Sequence, residues 1–147
     1  MLFKRSRPAA VAPSITTKPP IAPTTKRVGD AAEDAALDYL QKAGLRLLQR
    51  NFKTPGRGGG EVDLILRAPD GTLVFVEVRA RRSSSHGGAA GSVSALKQRR
   101  IVFAARHYLA RLSPQPPCRF DVVSLEGVAP EQRLVWLKAA FDASGHY

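Results

Sequence analysis

From Val28 onward the apolar positions fall into a helical rhythm. Val28, Ala31, Ala32, Ala35, Ala36, Tyr39, Leu40 and Ala43 recur at spacings of three and four, a stripe that Gly44 is placed to stop. Asp30, Glu33 and Asp34 fall in the first turns of this helix, where its dipole favours negative charge. Leu45 to Phe52 reads as a short strand or extended link, and Lys53 to Gly60 (KTPGRGGG) as a loop. The period then drops to two. Glu61 to Arg67 alternates, and Thr72 to Arg79 is rich in β-branched and aromatic residues; Ala68-Pro69-Asp70-Gly71 between them predicts an antiparallel hairpin. Residues 83–91 (SSSHGGAAG) read as a second loop. Ser92 to Leu112 returns to a helical period, with Ile101, Ala105, Tyr108, Leu109 and Leu112 on its apolar side and prolines 114, 116 and 117 after it. Arg119 to Leu125 and Arg133 to Lys138 are strand-like. The order α-β-β-α-β-β predicts one α/β domain over residues 28–147, a central mixed sheet flanked by helices.

The first 27 residues follow neither period. They hold Lys4, Arg5, Arg7, Lys18, Lys26 and Arg27, no acid, and prolines 8, 13, 19, 20 and 23. So little apolar surface cannot offset the entropy of ordering, so residues 1–27 are expected to be a disordered basic tail, either an arm adding phosphate affinity or a passive one. The whole chain has 23 Lys and Arg against 12 Asp and Glu, a formal charge of +11. Such a field favours polyanions, nucleic acid before an anionic membrane. No apolar run has the length to span a bilayer, and the basic, proline-broken start suits neither a secretory signal nor a transit peptide; a cytoplasmic protein is expected. Cys118 is the single cysteine, which excludes an intramolecular disulfide, and it reads as a small core residue. His86, His107 and His146 have no zinc-ligand spacing.

Chemistry concentrates in the hairpin. Side chains alternate along a strand, so Glu61 shares a face with Asp63, and Glu77 with Arg79. A turn around Pro69 to Gly71 sets Asp63 opposite Val76, Glu77 or Val78, so Asp63 and Glu77 converge if the register or a bulge brings them to one face. Carboxylates among Leu64, Ile65, Val74, Phe75 and Val76 need partners. Three arrangements supply them: a hard-cation site, a proton-sharing acid pair, or ion pairs with a neighbour such as Arg79.

In chain order, Glu61-Val-Asp-Leu-Ile65, Phe75-Val-Glu-Val-Arg-Ala-Arg81, Lys97-Gln-Arg-Arg100 and Arg119-Phe-Asp-Val-Val123 resemble the successive signatures of the YraN family. Those bacterial proteins have a restriction-endonuclease-like fold, related to that of archaeal Holliday-junction resolvases. Ala32-Glu33, Ala36 and Tyr39-Leu40 resemble that family's Gly-Glu-x-x-Ala-x-x-Tyr-Leu helix, and the likeness runs from about Val28 to Phe141. It implies a PD-(D/E)xK-type site with Mg²⁺ or Mn²⁺ as cofactor. Asp63 and Glu77 would be the metal-binding acids, Glu33 a third ligand, and Arg79 the residue at the usual lysine position. On the helix wheel Glu33 borders the apolar stripe, so it can reach inward while Asp30, Asp34 and Asp38 face water.

Two positions depart from the pattern. Ala32 replaces a glycine, and Arg79 replaces the lysine; arginine can hold a phosphate or orient water but stays protonated and cannot act as a base. The expected activity is metal-dependent hydrolysis of a nucleic-acid phosphodiester, DNA in the first place, with Asp63, Glu77 and Arg79 catalytic. Lys97, Arg99 and Arg100 are expected to grip flanking phosphates, or to form a solvated basic helix face. The rival readings keep the fold and lose the chemistry: a nucleic-acid-binding module, or a scaffold for a protein partner.

Overall fold

The structure, a computed structural model, describes residues 25–82 and 93–144. The first helix is α1, Thr25–Lys42. It starts ahead of Val28, so Thr25 to Arg27 are helical where disorder was expected; residues 1–24 of that segment lie outside the described residues. The earlier start leaves no acid in the first turn, and the dipole role expected for Asp30, Glu33 and Asp34 lapses. The buried side is also narrower than the sequence stripe. Ala32, Ala36 and Leu40 are buried about one turn apart, while Val28 and Tyr39 stay exposed. Gly44 ends the helix as expected: at φ +99° its N–H donates to the Gln41 carbonyl, and that of Leu45 to Leu40.

Residues 45–52, undecided between strand and link, fall almost wholly in a strand that also takes Lys53 from the expected loop. This is β1, Arg46–Lys53, paired antiparallel with β2, Glu61–Arg67. The element order is therefore α-β-β-β-α-β-β, with one strand more than expected before the second helix. The hairpin from β2 into β3, Leu73–Arg81, forms as predicted. In its turn Gly71 N–H donates to the Ala68 carbonyl at 2.9 Å, and Asp70 Oδ1 accepts from Thr72 N–H at 3.0 Å. The predicted loop over 83–91 lies outside the described residues.

The second helix, α2, is Ala95–Leu109, shorter than the expected span. Ser94 caps it, its side chain accepting from Lys97 N–H at 3.1 Å. Two strands follow, β4 (Cys118–Glu126) and β5 (Arg133–Phe141). The sheet order is β1-β2-β3-β4-β5, antiparallel except for the parallel pair β3–β4. A parallel pair cannot be joined by a tight turn, so α2 belongs to the crossover between them. The helices take opposite faces: Ala36 and Leu40 of α1 pack with Leu64, Leu66, Val74, Val76 and Val123. Ile101, Val102, Ala104 and Ala105 of α2 pack with Ile65, Leu73, Phe75, Phe120 and Val122. Burial on both faces explains why Leu64 to Leu66 and Leu73 to Val76 are unbroken apolar runs, where Glu61 to Arg67 was expected to alternate. Cys118 corrects the expectation of a core residue, because it is exposed at the start of β4. Among the described residues no helix is long and apolar enough to cross a membrane.

Candidate functional site

The β2–β3 ladder runs from Arg67↔Leu73 to Leu64↔Val76 and stops there. One step further would set Asp63 opposite Glu77, on the side of Ile65 and Phe75. Instead the Asp63 side chain takes over from the backbone, its Oδ2 accepting from Val78 N–H at 2.8 Å. The strands therefore part where the two acids meet, and side chains from both layers enter the opening. The two carboxylates come within hydrogen-bonding reach of each other, so the convergence that the hairpin left conditional occurs.

Glu77 is 5% exposed, and its Oε2 is buried with no hydrogen-bond partner. Burial and then the Asp63 carboxylate, which also hydrogen-bonds to it, push its pKa up to about 8, against the opposing pull of Lys97 and Arg79. From α1, Glu33 reaches the same acid. Its pKa is raised by burial and by the charge of Asp63, while Asn51 and Arg50 of β1 act the other way. Its Oε2 is buried without a hydrogen bond, 3.5 Å from Arg50 Nη2. Asp34 and Asp38 on the same helix are largely exposed, as the wheel required. The charge of Asp63 thus acts on both Glu33 and Glu77, and each of these holds a buried oxygen without a hydrogen bond, that of Glu33 facing only the Arg50 guanidinium.

The cations divide into two groups. Arg79 lies partly buried beside Glu77, with its Nη1 buried and unpartnered. Lys97 does not point outward with Arg99 and Arg100. Its Nζ lies 2.6 Å from Glu61 Oε1 and 3.7 Å from Glu77 Oε1, so it belongs to the carboxylate cluster. Burial disfavours this ammonium, but the hydrogen bond to Glu61 and the charges of Glu77, Glu61 and Asp63 outweigh burial and raise its pKa. The same bond lowers the pKa of Glu61. Arg99 and Arg100 are exposed, and Arg100 lines a hollow of about 280 Å³ with Lys53, Thr54, Glu61 and the glycines of the 53–60 loop. Two members of the cluster were missed by sequence reasoning as site residues. Glu61 was visible as the acid two residues before Asp63, whereas Arg50 could not be placed without the β1 register.

The donor set suits a hard divalent cation. It is all carboxylate oxygen, with orphaned buried atoms on Glu33 and Glu77. Among the described residues no three His, Cys, Asp or Glu side chains already close around a point that could hold an ion. An Mg²⁺-type site needs only one or two carboxylates besides water and substrate phosphate, so the residues fit the ion as an open site.

The described architecture is similar to the crystal structure of SSO0001 at 14% identity, over 80% of this chain and 53% of that one, with a TM-score of 0.38. The chain spans about half of that protein, and so loose a likeness fixes nothing about this fold or its chemistry. Sequence relatives are much nearer. A UPF0102 protein of Albidiferax ferrireducens is 69% identical over 82% of this chain and 91% of its own length. Another, from Polaromonas naphthalenivorans, is 58% identical over 98% of this chain and all of its own. Residues 32–125, which carry every member of the cluster from Glu33 to Lys97, match the model of the uncharacterised protein family UPF0102. The chain belongs to that family, the YraN-like proteins that its motifs resemble.

Proposed function

We propose that the protein hydrolyses nucleic-acid phosphodiesters, DNA in the first place, with a divalent metal, on a restriction-endonuclease-like version of the mixed α/β fold. The observation that carries this reading is the buried Glu77 oxygen without a hydrogen bond, set with Asp63 where the β2–β3 ladder ends, and with Glu33 brought in from α1. Leaving such an atom unpaired costs about 1–3 kcal/mol, more when charged, and a bound cation is one way to recover it.

In this reading Glu33, Asp63 and Glu77 hold Mg²⁺ or Mn²⁺. The bound ion supplies charge neutralisation and lowers the pKa of water. Arg79, with an unpartnered Nη1 beside Glu77, takes a non-bridging oxygen of the scissile phosphate. Arg99 and Arg100 hold flanking phosphates. Val78 N–H holds the Asp63 carboxylate through Oδ2, which limits how far that acid must move to act as a ligand.

The test is cleavage of linear, single-stranded and branched DNA with Mg²⁺ or Mn²⁺. Wild type should cut at least one of these, and Asp63→Asn should cut orders of magnitude more slowly with an unchanged or higher Tm. A wild type that cuts none ends the catalytic reading. Salt-dependent DNA binding in that same experiment would favour a non-catalytic binding module, the reading that the replacement of the motif lysine by Arg79 makes the chief rival.

A further inference from the structure

We propose that Lys97, delivered from α2, supplies the ammonium of this site and contacts the scissile phosphate or the attacking water alongside Arg79. The inference rests on the nuclease reading above. Lys97 comes from another element than the hairpin, yet its Nζ is within 2.6 Å of Glu61 and 3.7 Å of Glu77. Its place is fixed from three directions. Ser94 Oγ holds its backbone N–H at the helix start. Glu61, two residues before Asp63, holds its head. Gly60 lets the loop press against the helix: a Cβ there would lie 2.2 Å from the Arg100 carbonyl oxygen and 2.6 Å from Ala104 N. No residue with a side chain fits that approach.

An ammonium has three N–H donors, and Glu61 takes one. Glu77 Oε1 lies 3.7 Å away and Asp63 is near enough for its charge to act on the ammonium, so the other donors are available to a ligand held by these acids. Lysine is a compact point charge on a flexible stem, able to follow a phosphate from ground state to transition state, while guanidinium is a planar fork suited to a fixed bidentate grip. The two cations can therefore share the substrate: Arg79 clamps, and Lys97 compensates the charge that develops. A simpler role would be a latch that docks α2 on β2. Lys97 and Glu61 side chains keep about a quarter and two-fifths of their exposure, and pairs that open to solvent contribute roughly 0–1 kcal/mol. A latch alone would thus have a small effect on the fold and none specific to turnover.

The experiment compares wild type, Lys97→Met, Arg79→Lys and the double variant Lys97→Met/Arg79→Lys in the full chain. It reads DNA cleavage, Tm, and Mn²⁺ affinity without DNA. Lys97→Met should lower kcat on the order of 100- to 1000-fold with KM changed only a few-fold, the loss expected for one preorganised transition-state donor. Its Mn²⁺ affinity should be equal or tighter, because a positive charge beside Glu77 has gone. Adding Arg79→Lys to it should restore at least about tenfold of the lost rate, by returning an amine to the cluster from β3. Turnover within about threefold of wild type in Lys97→Met overturns the proposal and leaves the nuclease reading intact. So does loss of turnover together with Mn²⁺ binding, or loss that Arg79→Lys does not repair, since both mark a structural latch. A wild type that cuts nothing overturns the nuclease reading, and this inference with it.

Discussion

Glu77 is the residue on which the site can be read without any substrate. Its ordinary pKa of 4.5 is pushed to about 8, first by burial and then by Asp63. Between those two values the folded chain keeps a proton that the unfolded chain has released, so stability falls as pH rises through that window. Glu33, also raised by burial and Asp63, adds in the same direction. Glu77→Gln removes the larger part of this effect. The variant should match wild type near pH 4.5 and exceed it in denaturant melts at pH 8, by an amount on the order of a few kcal/mol. If Lys97 and Arg79 instead made the Glu77 carboxylate a net-favourable ion pair, the glutamine variant would be less stable at pH 8, and the raised pKa would be refuted. A divalent ion must displace the same proton, so Mn²⁺ affinity should rise with pH up to about 8 in wild type.

At the scale of elements, the two helices meet the sheet from opposite sides, and the site forms because both reach the point where β2 and β3 separate. The 53–60 loop controls one of these approaches. Gly60 packs directly on Arg100 and Ala104, so Gly60→Ala should push α2 outward and carry Lys97 off Glu61. The expected result is a loss on the order of 1–3 kcal/mol, as for other overpacked contacts, with the Lys97 hold on Glu61 weakened. Unchanged stability in urea melts would show that α2 can shift freely. Much of this arrangement was legible beforehand. Hydrophobic period and turn residues located both helices and the hairpin, and the alternation of its strands put Asp63 and Glu77 within reach. What escaped was non-local. β1 has weak alternation and Asn51 at φ +50°, so its membership of the sheet, and with it the contact of Arg50 with Glu33, depended on a register shift after Leu47. Lys97 looked like a basic helix-face residue because charge pattern cannot show which lysine turns inward. Asp121 shows the opposite ambiguity. It sits in a family-like motif, yet it is fully buried at a β4–β5 irregularity, accepting from Trp136 Nε1 and Ala139 N–H, both at 2.9 Å, and from Arg119. A motif acid can serve the sheet as readily as the chemistry.

For the molecule as a whole, the relevant fact is +11 at neutral pH, with four of its twelve acids, Glu33, Glu61, Asp63 and Glu77, drawn into one site. Lys53 and Arg100 lie exposed beside Glu61 of the Lys97–Glu61 pair, and Arg99 is exposed on the same helix. Residues 1–24 add Lys4, Arg5, Arg7 and Lys18 without a single acid. Binding to duplex DNA should therefore release counterions, and the slope of log K against log salt counts the phosphates engaged, at about 0.9 for each. Truncation of residues 1–24 should lower that slope by up to roughly 3.6 if all four cations bind phosphate, and should leave cleavage chemistry at saturating DNA unchanged. Arg99→Ala/Arg100→Ala should lower it further, by up to about 1.8, because both cations are exposed on α2 and Arg100 lines the hollow beside Glu61. Titrations of one duplex at several salt concentrations separate the two contributions. A slope that truncation does not alter would make the N-terminal segment a passive tail and leave the folded surface as the source of affinity. A slope near zero in the full chain would mean that the charge has a purpose other than nucleic acid.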